Sequence, residues 1–183
     1  MTMENKQRYL EQGLANAREA ARELAQCDDT TIRQVLNTLA DEALAHSEAI
    51  LTANLSDLSR MAETDPKYDR LLLNPARLSA IAGDLRAVAS LPCPVGEVLQ
   101  HTQLENGLEL NKVRVPMGVI AVIFESRPNV TFDVVALCLK RLKAFVLKGS
   151  SVERETNNVV VELIHRVFVD AGLTAAIVFL APT

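Results

Sequence analysis

The sequence has no tryptophan, and aromatic residues make up only 4% of it. Its core must therefore be built mainly from aliphatic side chains. Cysteine is nearly as scarce. Cys27, Cys93 and Cys138 form an odd count with no CxxC pair, which excludes a disulfide framework and reads as reduced thiols in a cytoplasmic protein without a signal peptide. Long apolar runs are missing too. The longest, over 115–124 and 171–181, fall well short of the roughly 18 residues that a membrane span needs, so no membrane partner is expected. No excess of basic charge is present: Lys plus Arg number 19 against 23 Asp plus Glu, for a net charge of −4. A chain of that sign has no net field to attract phosphate backbones, which argues against nucleic acid as a partner.

Several motifs are absent as well. The seven glycines include no GxG, so the dinucleotide fingerprint is missing, and no glycine stands where a Walker A loop needs one. His46, His101 and His165 lie far apart, without acidic or Cys partners at ligand spacing, so no metal site is expected. Internal repeats and low-complexity segments are also lacking.

What is present is an ordinary globular composition, 49% hydrophobic and 23% charged over 183 residues, enough for one large domain or two small ones. The first ninety or so residues read as helical. Leu10, Leu14, Ala17, Ala21 and Leu24 recur at steps of three and four, the spacing of one helix face. Asp28–Thr31 offers capping oxygens, and Ile32, Leu36, Leu39, Ala43, His46 and Ile50 continue a second stripe in which His46 reads as a core histidine. Asn74 and Pro75 read as the N-cap and first residue of a further helix that stops before Pro92.

Texture changes after Pro92. Alternation around the pair Asn106-Gly107 predicts a β-hairpin with a tight turn in which both central residues take positive φ. Residues 119–124 predict a buried strand, 130–142 a helix, "AFVLK" a second buried strand, 153–170 a helix stopped by Gly172, and "AAIVFL" a third strand. Apolar strands alternating with helices predict a parallel sheet covered on both faces, with an open last edge. The organisation expected is a helical segment over 1–92, a β-hairpin extension over 93–115, and part of a cofactor-binding α/β domain over 116–183.

In open α/β sheets ligands bind outside the carboxyl ends of the strands. Two polar loops fall there: "ESRPNV", from Glu125 to Val130, and "KGSS", from Lys148 to Ser151. Each precedes a helix, whose positive N-terminus suits anions, and side by side they would form a crevice. Asn129 reads either as a donor to a developing oxyanion or as a plain N-cap. Arg127 reads either as a grip on an anionic group or as a solvated ion pair with Glu125. Lys148, beside Gly149, Ser150 and Ser151, reads either as a ribose or phosphate contact or as a surface loop. Cys138 reads as an inert buried thiol.

The stretches "VRVPMGVIAVIFESRPNVTFDVVALCLK", "LADEALAHSEAILTAN", "RLLLNPARLSAIAGDLRAVASLPCPVGEV" and "VLKGSS" with a later Asn157 closely resemble the γ-glutamyl phosphate reductase family, the glutamate-5-semialdehyde dehydrogenases of the aldehyde dehydrogenase superfamily. The likeness runs over nearly the whole chain. It implies an aldehyde-dehydrogenase-like α/β fold: N-terminal helices, a β-hairpin, and part of a doubly wound parallel-sheet domain. It also implies NADPH-dependent reduction of L-glutamyl 5-phosphate to L-glutamate 5-semialdehyde and phosphate, in proline biosynthesis, with a cysteine thiolate attacking the acyl phosphate.

By that resemblance Asn129 stabilises the oxyanion. Lys148, with Gly149, Ser150 and Ser151, serves the cofactor; Arg127, with Glu125 beside it, is read from its charge, and not from the resemblance, as the contact for the substrate and its phosphate. NAD-preferring members often carry Glu where this chain has Ser151. An uncharged residue there does not repel a 2′-phosphate, which fits NADP. The chain departs from the family at Arg141-Leu142-Lys143, where a Gly-containing turn is usual, and at Ser150, where a second Gly is usual. None of its three cysteines falls in the family's catalytic motif. The expectation is therefore an N-terminal part with negligible reductase activity alone, partnered by the missing C-terminal half or by further copies of itself. The alternative is a stand-alone nucleotide-binding or protein-interaction module.

Overall fold

Asp28 and Asn74 act as the sequence predicts. The Asp28 carboxylate accepts from the Thr31 backbone nitrogen at 2.7 Å, and the Asn74 side chain accepts from the Arg77 nitrogen at 2.8 Å. Each satisfies one of the orphan amides of a helix start. In the computed structural model, which describes residues 3–182, five helices come first: α1 (Met3–Leu24), α2 (Asp29–Ala45), α3 (Ser47–Leu58), a single turn α4 (Tyr68–Leu71) and α5 (Pro75–Ser90). Then follow β1 (Val98–Gln103), β2 (Glu109–Val113), β3 (Val119–Ile123), α6 (Asn129–Leu139), β4 (Ala144–Lys148), α7 (Arg154–Asp170) and β5 (Val178–Leu180). No helix among the described residues is long and apolar enough to cross a membrane.

β3, β4 and β5 form a parallel sheet in that order. Right-handed crossovers place α6 and α7 together on one face, against Phe145, Leu147 and Val178. The alternate residues Val146 and Phe179 are paired in register and point to the other face, which α1 covers. Tyr9 of α1 lies against Phe179 with ring centroids 5.5 Å apart. One contiguous core draws on all of these layers, from Ala20 and Leu24 through Leu78 and Leu85 to Ile164 and Val178.

Four expectations need correction. The α1 stripe runs through Leu10, Gly13, Ala17, Ala20, Ala21 and Leu24, while Leu14 is exposed; Leu14 follows Gly13 by about 100° around the helix, off the sheet-facing side. The second stripe is broken at His46, whose φ of −99° and ψ of 20° separate α2 from α3. There the ring is half-exposed and its Nδ1 lies 3.1 Å from the Glu42 carbonyl oxygen, so His46 marks a joint and is not a core residue. In the hairpin Gly107 has φ of 84° and Asn106 does not have positive φ. The Gly107 nitrogen donates to Leu104 O and Leu104 N to Leu108 O, a three-residue turn closed by a glycine in the left-handed region. Finally, β3 is not buried on both faces. It is an edge strand, while the covering helices centre on β4, and Ile123 is 82% exposed.

Candidate functional site

β3 and β4 lie in register, Ile123 beside Lys148, so the two polar loops leave adjacent strand ends. Glu153, in a 3₁₀ turn over Ser151–Glu153, fastens them. Its fully buried carboxylate accepts from the Ser126 nitrogen at 2.8 Å in the first loop. In the second it accepts from the Ser150 nitrogen at 2.8 Å and the Ser150 hydroxyl at 2.7 Å. A second tie lies behind it, where the Thr131 hydroxyl donates to Asn157 Oδ1 at 2.9 Å. Gly149 is squeezed into this cluster. A Cβ there would come within 2.6 Å of Asn157 Nδ2 and 3.2 Å of Glu153 Oε1, so glycine is required by the protein's own packing.

The positive end of α7 is already neutralised. Asp57 of α3, fully buried, accepts from the backbone nitrogens of Glu155 at 3.1 Å and Thr156 at 2.8 Å. With Glu153 on the turn before it, that helix start carries two carboxylates, and the anion expected at its amides has been replaced by the chain's own side chains.

Asn129 is not an N-cap. Pro128 holds that position, Asn129 is the first helical residue, and its Nδ2 donates to Asp133 Oδ2 at 3.1 Å. Burial pushes the Asp133 carboxyl up; the Asn129 hydrogen bond works against this, and the negative charge of Asp84 adds to it. Glu125 pairs with Lys67 at 2.9 Å, exposed, and not with Arg127. The Arg127 side chain has no hydrogen bond or ion pair among the described residues.

Arg127 and Asn129 open onto one cavity of about 350 Å³, walled by α4 and α5. Gly149 and Ser150 open onto another of about 380 Å³, with Tyr9, Arg154 and Leu180, at the ends of β4 and β5. Lys148 is half-buried, its Nζ donates to the Gly149 carbonyl at 3.1 Å, and it lines neither cavity; Ser151 is exposed and lines neither. The predicted single crevice is thus two cavities, with the Glu153 and Asn157 ties between the loops that border them.

Sequence reading missed Asn54, Asp57, Thr156 and Glu153, all buried. Asn54 accepts from Leu73 N at 2.7 Å and donates to Leu71 O at 2.9 Å, which fixes the α4–α5 connection beside the first cavity. The signal was available: Ile50, Asn54 and Leu58 keep the four-residue step of a buried stripe, with a polar residue in the middle of it.

No protein-family model matches the chain. A γ-glutamyl phosphate reductase of Chlorobaculum parvum is 52% identical over 171 residues, which are 93% of this chain and 41% of that protein. The crystal structure of the Thermotoga maritima γ-glutamyl phosphate reductase superposes with a TM-score of 0.89 at 30% identity, over 93% of this chain and 42% of that one. The crystal structure of a NAD-dependent benzaldehyde dehydrogenase from Corynebacterium glutamicum shares the fold, with a TM-score of 0.70 at 21% identity over 90% of this chain and 33% of that one. The expected fold, helices and hairpin joined to a parallel sheet, is the one these structures share. Across 93% of its residues this chain belongs to the γ-glutamyl phosphate reductase family, and it spans about two-fifths of the length of the curated relatives it matches.

Proposed function

We propose that this chain supplies the cofactor-facing and acyl-orienting part of an NADPH-dependent reductase that converts L-glutamyl 5-phosphate to L-glutamate 5-semialdehyde and phosphate, in the making of proline. One observation carries the reading: the Glu153 carboxylate holds the loop leading to Asn129 against the loop following Lys148. A hydride donor and an acyl group approaching from the two cavities would meet beside that junction.

The nicotinamide cofactor, when bound, supplies the hydride. The carboxamide of Asn129 carries two hydrogens; one goes to Asp133, and the other serves the oxyanion that forms when the acyl carbon is attacked. Arg127, its guanidinium unpaired among the described residues, takes the substrate's phosphate, while Glu125 is held in its exposed pair with Lys67. The cavity by Gly149 and Ser150 fits the adenosine end of a dinucleotide: it is open at the strand ends and carries an aromatic ring, Tyr9, together with polar donors. Lys148 moves from the Gly149 carbonyl to the ribose, and an uncharged Ser151 leaves room for a 2′-phosphate.

The nucleophilic cysteine is not supplied by these residues. Cys138 is buried and its thiol is pushed up to about 11, and turnover by the chain alone is expected to be negligible. Three free thiols fit a reducing, cytoplasmic setting. The bare edge of β3 and the exposed Leu108, Leu110 and Val115 around the hairpin favour pairing with further polypeptide, a second copy included.

Calorimetric titration with NADP⁺ and NAD⁺, with Lys148→Ala alongside, tests the cofactor half. Tighter binding of NADP⁺, weakened by the substitution, is expected. Equal binding by both proteins removes Lys148 from the site, and no binding of either nucleotide removes the cofactor half of the reading.

A further inference from the structure

Asn157 is 2% exposed, yet it borders the cavity of about 380 Å³ at the ends of β4 and β5. Its Oδ1 accepts from the Thr131 hydroxyl at 2.9 Å. Its Nδ2 stands against Gly149, where a Cβ would come within 2.6 Å of it. That nitrogen has no acceptor among the described residues. It is not sealed in either, since among those residues Ser126 Oγ is the one side-chain nitrogen or oxygen both fully buried and unpaired. The NH₂ group of Asn157 therefore reaches the cavity. A buried carboxamide with an unused donor end is rare in native structures and calls for a partner. Two neighbours fix which end faces outward: Thr131 gives its hydrogen to the oxygen, and the Glu153 carboxylate, also beside Gly149, favours the NH₂ end there.

The other polar groups on this wall are spent. The Ser150 nitrogen and hydroxyl both go to Glu153, and Lys148 lies outside the cavity with its Nζ on the Gly149 carbonyl. Arg154 is the only charged side chain among the described residues of the wall. Its Nε and Nη2 share Glu155 Oε1 at 3.2 and 3.1 Å, an exposed pair of adjacent residues that competes weakly, and its Nη1 has no partner among the described residues. A cation beside an unpaired NH₂ suits an anionic oxygen. We propose that Asn157 is a binding residue for a phosphate group in this cavity, with Arg154 as the cation beside it and Thr131 as the residue that positions it. That the phosphate belongs to a nucleotide rests on the reductase reading above; the contact itself does not.

The test uses the 183-residue chain, with three probes followed by NMR titration: adenosine, 2′-AMP and 5′-AMP. At least one monophosphate is expected to bind about tenfold more tightly than adenosine, the worth of one charge-assisted contact. It should also shift the Asn157 side-chain NH₂ signals, which adenosine should leave in place. Preference for 2′-AMP assigns the contact to the phosphate on the ribose, and preference for 5′-AMP to the pyrophosphate side. Asn157→Ala and Arg154→Ala should each cut the preference about threefold or more without changing adenosine binding. Thr131→Val should weaken the monophosphate in the same direction, and Thr131→Ser, which keeps the hydroxyl, should not. The NH₂ signals are read on the native chain, so they decide the matter even where a variant at these buried positions fails to fold. Equal binding of all three probes, no binding of any at millimolar concentration, or Asn157 signals that do not respond to a bound monophosphate each overturns the proposal. A phosphate preference in a chain that binds neither NADP⁺ nor NAD⁺ would leave this contact standing and remove the cofactor half of the reductase reading. Dinucleotide binding that is unchanged in Asn157→Ala would do the reverse.

Discussion

Thr156 donates twice to one oxygen of Asp57, from its backbone nitrogen at 2.8 Å and from its hydroxyl at 2.6 Å, across 99 residues of sequence. The cap of α7 thus comes from α3, because the residue in the N-cap position, Glu153, has turned its own carboxylate back to the loops. Removing Asp57 leaves the buried amide and hydroxyl of Thr156 and the half-buried amide of Glu155 without their acceptor, and Arg60 without its carboxylate. Asp57→Ala should cost about 3 kcal/mol, read as a lower urea midpoint at an unchanged slope. A loss below about 1 kcal/mol would mean that the carboxylate contributes no more than a surface charge.

Acid should weaken the fold through the start of α2. A hydrogen bond from Lys140 holds the Asp29 carboxyl below its ordinary value of 3.8, and the Thr31 amide does the same for Asp28. Both groups therefore contribute stability that is fully present above about pH 4 and is lost as pH falls through their lowered folded values. Urea unfolding from pH 7 down to about pH 2.5 should show that decline. In a protein carrying Asp28→Asn and Asp29→Asn the decline over the same window should be shallower; an identical profile would place the acid sensitivity elsewhere.

The departure at Arg141-Leu142-Lys143 has a structural outcome. α6 ends at Leu139, three residues before the end expected from the sequence, with Lys143 N donating to Cys138 O and Leu142 N to Leu139 O. Leu142 occupies the left-handed position, φ 52°, that glycine usually takes, as Gly172 does after α7. The backbone cost is roughly 1–2 kcal/mol. Burying the leucine, 5% exposed, returns about 2–3 kcal/mol. Burial wins, so Leu142→Gly should lower stability by about 1 kcal/mol despite the better turn. A gain in melting temperature would show that the left-handed strain is the larger effect.

Much of this architecture could be read from residue types because its causes are local. Asp28, Asn74 and Gly172 fix helix ends through groups within three residues of them, and apolar runs with intervening helices specify a parallel sheet. The cross-chain polar contacts could not be read. Glu153 looks like the first residue of a charged helix, and nothing within its own loop reveals that Ser126, 27 residues away, shares its carboxylate. Exposure of β3 was equally hidden, since "VIAVI" is as apolar as a central strand and its place at the edge is a property of the sheet. At the site, Arg127 and Asn129 border one cavity because they share a loop; the single slot expected for Asn129 and Lys148 could not be judged from either loop, because the ties that separate the two cavities come from Glu153 and α7.

Ser126 concentrates strain at the joint between β3 and α6. It has φ of 55°, is 2% exposed, and its hydroxyl has no hydrogen-bond partner among the described residues. An unpaired buried hydroxyl is costly, and its removal leaves the Ser126 amide free to bond Glu153 as before. Ser126→Ala should therefore be neutral or stabilising by up to about 1 kcal/mol. Equilibrium unfolding in urea checks the sign. A loss of more than about 1 kcal/mol would show that the hydroxyl is bonded in solution.

The three thiols should react in a fixed order. Burial, against a smaller opposing effect of Lys143 and Arg141, pushes the Cys138 thiol up to about 11, so at neutral pH almost none of it is thiolate. Cys27 is half-buried and raised as well, first by burial and then by Asp28 and Glu23, but its sulfur can be reached. With a thiol-selective reagent at pH 8, Cys93 and Cys27 should label and Cys138 should not, until denaturant exposes α6. Because reaction of Cys138 requires α6 to leave β4, its labelling rate reads the opening of that helix. A Cys138 that labels as fast as Cys93 in the absence of denaturant would mean that α6 does not hold the closed position on which the placement of Asn129 depends.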